Sequence, residues 1–442
     1  MRLLWITLLA SLFLAATGRY AFNTVDSDDN DGEIWAVLVA GSNSWWNYRH
    51  QADICHAYHI LRDHGIPEDH IVTMMYDDIA DNEENPFKGK IFNHPNGSDL
   101  YEGVKIDYRG EDVNPENFLK VLKGEPNGPH RVVQSTQNDR VFVYFSDHGG
   151  PGILNFPDST LTVKDLIGTL HQLHQNQVYK ELVLYVEACF SGSMFSGFLP
   201  NNTNIYAVTA ANSAESSYAC YCDSRKLPGV CLGDLFSVNW MEDSDREDIE
   251  TEKLSQQFKI VKQETSSSHV MKFGDEEFVS EPVGDFQGRE GNKNKRFVAE
   301  KGSVHQYKKW SSLEVPLKML ETKLATVNSL DQQNEIEAQL SLMKQKRTVF
   351  KFHFNALIKK LVHDPINRKD ILSTKGEQIK NLDCHDDVIK AFDRVCYNIA
   401  KNPYVIEHLH ALVNLCNRNI PTQKIIDEMM DHCLDTPVQF VL

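Results

Sequence analysis

Residues 182–193 read LVLYVEACFSGS, and this stretch decides the fold class. Five of its first six residues are apolar, mostly branched or aromatic, which is typical of a strand buried on both faces. A glutamate, a cysteine and a Ser-Gly-Ser turn follow directly. Because a core cysteine needs neither a charged neighbour nor a polar turn, the carboxyl end of this strand is predicted to carry chemistry.

Strands and helices alternate on both sides of this stretch, from about Glu33 to Trp240. The strand patterns are IWAVLVAG, IVTMMYD, RVFVYFSDHGG and NIYAVTAAN, and the helical patterns are QADICHAYHILRDHG and VKDLIGTLHQLH. This alternation predicts an α/β fold, a mostly parallel sheet with helices on both faces. Ligands of such sheets bind beyond the carboxyl ends of the strands.

Two of those strand ends carry the chemical signal. One strand leads into His148 and the other into Cys189, 41 residues later. Carboxyl ends of parallel strands meet at one edge, where an imidazole can deprotonate a thiol and stabilise the thiolate. Glycines after His148 leave backbone N–H groups accessible to an oxyanion. Either residue alone is more often structural, but the pair predicts a cysteine-nucleophile hydrolase.

The 442 residues leave room for a large core and two domains. Residues 1–18, MRLLWITLLASLFLAATG, have the features of a secretory signal peptide, and residues 19–32 form an acidic arm. No later stretch approaches the ~20 apolar residues of a membrane span. The sequence therefore predicts the secretory pathway, with glycosylation sequons at Asn96 and Asn201.

Charge divides the chain into an acidic and a basic part. Residues 1–290 hold 22 Lys and Arg against 44 Asp and Glu, whereas residues 291–442 hold 23 against 18. So acidic a main part makes nucleic acid an unsuitable partner. Opposite net charges predict that the two parts dock on each other and separate as carboxylates become protonated.

The C-terminal part has its own organisation. Residues 284–306 show no hydrophobic periodicity and are rich in Gly, Asn and basic residues, which predicts a linker. An apolar helical stripe then extends from Ile336 to Leu361, and further helices are predicted near residues 385–399, 403–416 and 421–434.

Nine cysteines imply at least one that is free or reactive. Cys222 and Cys231 flank a Pro-Gly turn and could close a small loop. The cysteines of the basic part could form two bridges in an unspecified pairing: Cys384, Cys396, Cys416 and Cys433.

Metal and cofactor motifs are not supported. The acidic stretch DSDDNDGE would place Leu38 where a calcium loop needs a bidentate acid. His56 and His59 lack an HExxH or Cys-x-x-Cys context for zinc. The sequence therefore predicts no metal and no cofactor.

Five ordered blocks resemble the legumain (asparaginyl endopeptidase) family of caspase-like cysteine peptidases. They are GSNSWWNYRHQADICHAY, YFSDHGGPGIL, EACFSGSMF, AANSAESSYACY and LGDLFSVNWMEDSD. The resemblance implies a caspase-like catalytic domain over residues 33–290. It also implies a linker and the start of an activation peptide over 291–328, and a helical inhibitory prodomain over 329–442.

The resemblance also implies the roles of individual residues. Cys189 is the nucleophile, His148 its acid/base partner and Asn47 the orienting residue, with backbone N–H groups of Gly149 and Cys189 as the oxyanion hole. The pocket for the residue before the scissile bond is lined by Arg49, His50, Glu187, Ser216 and Asp234. Such a pocket offers donors and acceptors to a carboxamide, so cleavage after Asn, and after protonated Asp, is expected.

Further implications concern maturation and partners. The implied bridges are Cys384–Cys416 and Cys396–Cys433, and the implied maturation cut follows Asn328. Protein and peptide substrates with exposed Asn, the chain's own prodomain and cystatin-type inhibitors are the expected partners. A zymogen that matures in acid suits lysosomes, endosomes or secretion into an acidic lumen.

One departure from the family and two alternatives accompany this interpretation. Phe190 stands where the family commonly has a second acid, which predicts a more apolar preference on the leaving-group side. An amine could capture the acyl-enzyme, giving a peptide ligase instead of a hydrolase. A non-catalytic caspase-like interaction module is the other alternative, and the intact Cys189, His148 and Asn47 argue against it.

Overall fold

The structure is a computed structural model that describes residues 32–289 and 298–434. The predicted signal peptide, the acidic arm before Gly32, residues 290–297 of the predicted linker and residues 435–442 of the predicted prodomain lie outside the described residues. The strands are β1 (Ile34–Ala40), β2 (Ile71–Met74), β3 (Arg140–Ser146), β4 (Gly149–Gly150), β5 (Ile153–Asn155), β6 (Thr160–Thr162), β7 (Glu181–Glu187), β8 (Ile205–Thr209), β9 (Tyr218–Cys220), β10 (Gly233–Asp234), β11 (Met271–Gly274) and β12 (Trp310–Ser311).

The α-helices alternate with these strands and then continue without them. They are α1 (Tyr48–Asp63), α2 (Pro115–Lys123), α3 (Val163–Asn176), α4 (Leu235–Arg246), α5 (Leu254–Glu264), α6 (Gly284–Gln287), α7 (Val315–Thr326), α8 (Leu330–Leu361), α9 (Pro365–Ser373), α10 (Leu382–Val395), α11 (His410–Asn417) and α12 (Thr422–Leu434).

A six-stranded sheet organises the first part of the chain, in the order β11-β8-β7-β3-β1-β2. The five strands from β8 to β2 are parallel, and β11 pairs with β8 in antiparallel orientation. Alternate residues of β1 enter two different apolar clusters, Leu38 in one and Val37 in the other. Both faces of the sheet are therefore buried, and the predicted α/β fold is confirmed.

The C-terminal helical region, residues 329–434, packs around a third apolar cluster. Three disulfides are present in the described residues: Cys222–Cys231, Cys384–Cys416 and Cys396–Cys433. Helix α10 begins at Leu382, because the Asn381 side chain caps it by accepting from the backbone N–H of Cys384. The described residues contain no helix that is long and apolar enough to cross a bilayer.

The helix predicted over residues 403–416 is interrupted. Residues Pro403–His408 form a 3₁₀ turn, and α11 begins only at His410. Within this turn the Leu409 N–H donates to the Ile406 carbonyl, three residues earlier. Apolar spacing alone does not separate a 3₁₀ turn from an α-helical turn, so the single predicted helix was wrong at this point.

Candidate active site

The sheet register brings the two chemically marked strand ends together. Ser146 at the end of β3 pairs with Glu187 at the end of β7. Beyond the strands, the Asp147 N–H donates to the Glu187 carbonyl at 3.1 Å. A Cβ atom on Gly149 would lie 2.7 Å from the carbonyl oxygen of Cys189, so only glycine allows this approach of the two backbones. The backbone next to His148 therefore contacts the backbone of Cys189.

The His148 ring is held by one hydrogen bond and is otherwise enclosed. Its Nε2 donates to Asn47 Oδ1 at 2.9 Å, and Asn47 Nδ2 in turn donates to the Asn43 carbonyl. This arrangement leaves Nδ1 as the basic ring atom, and Nδ1 is buried without a hydrogen-bond partner among the described residues. Burial, and then the charge of Arg49, hold the pKa of His148 well below its ordinary value, so the imidazole is neutral.

Cys189 is fully buried in this state of the molecule. Its Sγ lies 3.9 Å from Ser217 Oγ. Burial raises the pKa of Cys189 to about 11, against weaker lowering by hydrogen bonds from Ser217 and Ser216. The thiol therefore stays protonated while it is enclosed in this way.

A cluster of buried polar side chains lies next to Cys189, and we call the site that it lines the pocket. Arg49 is buried at its base, where Nε donates to Asp234 Oδ1 at 2.9 Å. His50 completes the wall, with Nδ1 hydrogen-bonded to Ser42 Oγ at 2.6 Å and Nε2 3.5 Å from Asp234 Oδ2. These buried side chains therefore offer both hydrogen-bond donors and acceptors.

Carboxyl groups outnumber the cations in this pocket. Glu187 accepts from the backbone and hydroxyl of Ser237, and its Oε1 has no hydrogen-bond partner among the described residues. Burial, and then the nearby Asp234, raise the pKa of Glu187 to about 8. Asp53, which lies on α1, accepts from the backbone N–H of Asp234 at 3.3 Å. Burial raises the pKa of Asp53 well above its ordinary value. Such a cluster of carboxyl groups is more stable in acid, because protonation removes the repulsion between neighbouring carboxylates.

A short segment of the chain occupies this pocket. Strand β12 pairs antiparallel with β9, with Trp310 opposite Ala219. Ser312, the residue after β12, donates its N–H to the Ser217 carbonyl at 3.0 Å, and Arg49 Nη2 donates to Ser312 Oγ at 2.6 Å. We call residues 310–314 the plug segment, because it enters the pocket with Ser312, where strand β12 ends and a 3₁₀ turn over Ser312–Glu314 begins.

The C-terminal helical region covers the same edge of the sheet. His385 Nε2 donates to the Pro151 carbonyl at 2.9 Å, two residues after Gly149. A Cβ on Gly150 would lie 3.3 Å from Ile406, which is fully buried. The catalytic edge is therefore closed to peptides in the full-length chain.

The residues predicted for the site lie in one neighbourhood. Arg49, His50, Glu187 and Asp234 line the pocket, and Ser216 borders Cys189. The structure adds residues that the sequence did not mark: Ser42, Asp53, Ser217, Ser237 and Ser312. They act through hydrogen bonds to residues that are not adjacent in the chain, from 8 residues apart for Ser42 and His50 to 263 for Ser312 and Arg49, so the local motifs did not indicate them.

Other predicted positions lie on the surface. Asn96 and Asn201 are exposed, and Asn328 is exposed between α7 and α8. Among the described residues, His50, Asp147 and His148 could offer ligand atoms to a metal, with those atoms within 4.8 Å of one another. These three residues belong to the site just described.

Comparisons with known proteins agree along most of the chain. The model of the Peptidase C13 family matches residues 34–289, and that of the legumain prodomain matches residues 338–433. Human legumain is 40% identical over 431 residues, which cover 96% of this chain and 98% of the relative. Hemoglobinase of Schistosoma mansoni is 41% identical (93% and 94%), and the vacuolar-processing enzyme of Vicia sativa is 38% identical (95% and 90%). Among solved structures, caspase-1 from Spodoptera frugiperda aligns with a TM-score of 0.36 and 9% identity, over 60% of this chain and 93% of that one.

Proposed function

Since the chain belongs to the peptidase C13 family, we propose that it hydrolyses peptide bonds after asparagine and is made as a zymogen that matures in acid. Membership of this family makes it a cysteine endopeptidase, and the second family match makes its C-terminal helical region a prodomain. The observation that carries the proposed specificity is the buried pocket beside Cys189, with Arg49 and Asp234 at its base.

In the proposed mechanism, Cys189 Sγ attacks the carbonyl carbon of the substrate and transfers its proton to His148 Nδ1. Asn47 holds the ring by accepting from Nε2, so Nδ1 keeps its lone pair for the proton. The N–H groups of Gly149 and Cys189 stabilise the oxyanion. The imidazolium then protonates the leaving amine, and water hydrolyses the acyl-enzyme.

The proposed pocket recognises a carboxamide by hydrogen bonds in both directions. The asparagine carbonyl accepts from Arg49, and its amide donates to Glu187 and Asp234. An ionised aspartate would add a negative charge to a site that already holds excess carboxyl groups. Aspartate should therefore be accepted only when protonated, below its ordinary pKa of about 4.

Peptide cleavage by the acid-treated protein tests this proposal. A panel of peptides that differ only in the residue before the scissile bond is incubated at pH 5.5, and the products are identified by mass spectrometry. We expect cleavage after Asn alone, and loss of at least ~10³-fold in rate for Cys189→Ala. Equal cleavage after Gln or Ala would contradict the proposed pocket.

The same acyl-enzyme permits the ligase alternative. Adding an amine nucleophile to the reaction separates the two outcomes, because a ligase yields a product with the amine joined to the Asn carbonyl. Cystatin-type inhibitors are the further proposed partners of the open cleft. The proposed location is an acidic compartment of the secretory pathway or an acidic lumen, and the exposed sequons at Asn96 and Asn201 are proposed glycosylation sites.

A further inference from the structure

The residue after the candidate nucleophile has an unusual backbone. Phe190 has φ 55° and ψ 15°, a left-handed conformation that bulky residues seldom adopt. Hydrogen bonds fix it on both sides, since its N–H donates to the Glu215 carbonyl and its carbonyl accepts from the Ser193 N–H, each at 2.8 Å. Strain of this kind concentrates at functional sites, because the surrounding structure must hold the residue in place. The position of the Phe190 side chain is therefore built into the catalytic domain.

The burial of the Phe190 ring depends on segments that must leave the cleft. The ring is 2% exposed, yet it belongs to neither of the two apolar clusters that flank the sheet. It lies in the third cluster, to which the catalytic domain contributes only Ile153, Cys189 and Phe190. The other members of that cluster are Leu313 and prodomain residues such as Ile406. When those segments leave, the ring becomes an apolar surface next to the thiol.

The plug segment shows which part of a substrate would contact this surface. Ser312 lies in the pocket, so it stands for the residue before the scissile bond. Leu313 is the next residue along the chain, and it is buried in the same cluster as Phe190 and Cys189. Leu313 follows Ser312 within the 3₁₀ turn. It therefore marks the side of the pocket toward which a leaving group continues, and its side chain is buried there among the apolar side chains of this cluster.

We propose that Phe190 forms an apolar subsite on the leaving-group side, which selects substrates with an apolar residue directly after the asparagine. This inference rests on the proposed cleavage after asparagine and specifies its substrate class. Burying an apolar side chain against the ring stabilises the transition state, whereas a charged side chain there loses hydration without gaining a partner.

Paired substrates test the subsite. Two internally quenched peptides carry the same sequence around one Asn and differ only in the next residue, Leu or Lys. With the mature enzyme we expect kcat/KM to be about tenfold higher for the Leu peptide. Phe190→Glu should abolish or reverse this ratio, and Phe190→Leu should keep a ratio above one. The Leu-to-Lys ratio is measured within one enzyme preparation, so a partly folded variant still reports it.

A matched control places the same change elsewhere. Phe87 is 38% exposed and lies outside the third cluster, so Phe87→Glu should leave the ratio as in the wild type. A ratio unchanged by Phe190→Glu would overturn the inference. An Asn-aminomethylcoumarin peptide, which has no residue after Asn, separates this failure from failure of the proposed function. Cleavage of that peptide without any Leu preference rejects the subsite alone, whereas no cleavage rejects the proposed specificity.

Discussion

At the scale of single residues, burial controls the protonation of this enzyme. His148 is kept neutral and Glu187 is kept protonated, in both cases first because they are enclosed. The same effect acts away from the site. Burial, and then the neighbouring Asp243, raise the pKa of Glu252 to about 8. Between about pH 5 and 8 the folded chain therefore holds a proton that the unfolded chain has released. The contribution of Glu252 to the free energy of unfolding therefore falls as the pH rises through this window.

The substitution Glu252→Gln removes this titration. In a Cys189→Ser background, which prevents self-cleavage, we expect the Tm at pH 7.5 to rise by about 2–4 °C. At pH 4.5 both proteins carry a neutral side chain, so their Tm values should agree within about 1 °C. The measurement is thermal unfolding followed by circular dichroism. Glu250, which is exposed, provides the control Glu250→Gln, and a Tm at pH 7.5 that responds equally to both changes would contradict the assignment.

At the scale of secondary structure, the short strand β12 is the element that closes the pocket. It extends β9 and is followed by the hydrogen bond from the Ser312 N–H to the Ser217 carbonyl. Ser312 begins a 3₁₀ turn, and Ser311 has ψ 133°. A proline at position 312 therefore fits the backbone but lacks the N–H and the hydroxyl.

The substitution Ser312→Pro should weaken closure of the pocket. It removes the bond to Ser217 and the charged bond from Arg49, so we expect the full-length zymogen to cleave an Asn peptide about tenfold faster near neutral pH. Initial rates before any chain cleavage are the measurement. Ser311→Ala retains the backbone bonds and should behave as the wild type. A Ser312→Pro zymogen as silent as the wild type would indicate that the prodomain alone closes the site.

At the scale of the whole molecule, apolar contacts and ion pairs hold the prodomain against the catalytic domain. The lysine comes from the prodomain in some of these pairs and from the catalytic domain in others. Prodomain lysines pair with catalytic carboxylates in Lys401–Asp158 (2.8 Å) and Lys390–Asp165 (2.9 Å). The opposite arrangement also occurs, since Lys164 of the catalytic domain pairs with Asp383 of the prodomain at 2.9 Å. Asp386 of the prodomain also accepts a hydrogen bond from Thr162. Burial disfavours the charged form of Asp386, but hydrogen bonds from Thr162 and Lys390 hold its pKa below the ordinary value. Its contribution to docking is present above about pH 4 and is lost as the pH falls through that lowered pKa.

Separation of the prodomain requires a cut in the connecting chain. Asn328 is exposed in the short loop between α7 and α8, where a protease can reach an extended backbone. We predict that Asn328→Ala stops cleavage at this position during an acid time course, as followed by electrophoresis and N-terminal sequencing. Asn334 is also exposed but lies within α8, so Asn334→Ala should mature normally. Maturation of Asn328→Ala at the same bond and rate would show that another residue directs the cut.

The sequence by itself determined the five parallel strands of the sheet, helices α1 and α3, and the strand ends that hold His148 and Cys189. These features depend on periodicity and on residue types that are adjacent in the chain, such as the apolar run before Glu187. It did not determine that Ser312 would lie on Arg49, or that Phe190 would be covered by Leu313 and the prodomain. Those contacts join segments more than 100 residues apart, so they form only when the whole chain folds and competing surfaces lose their water.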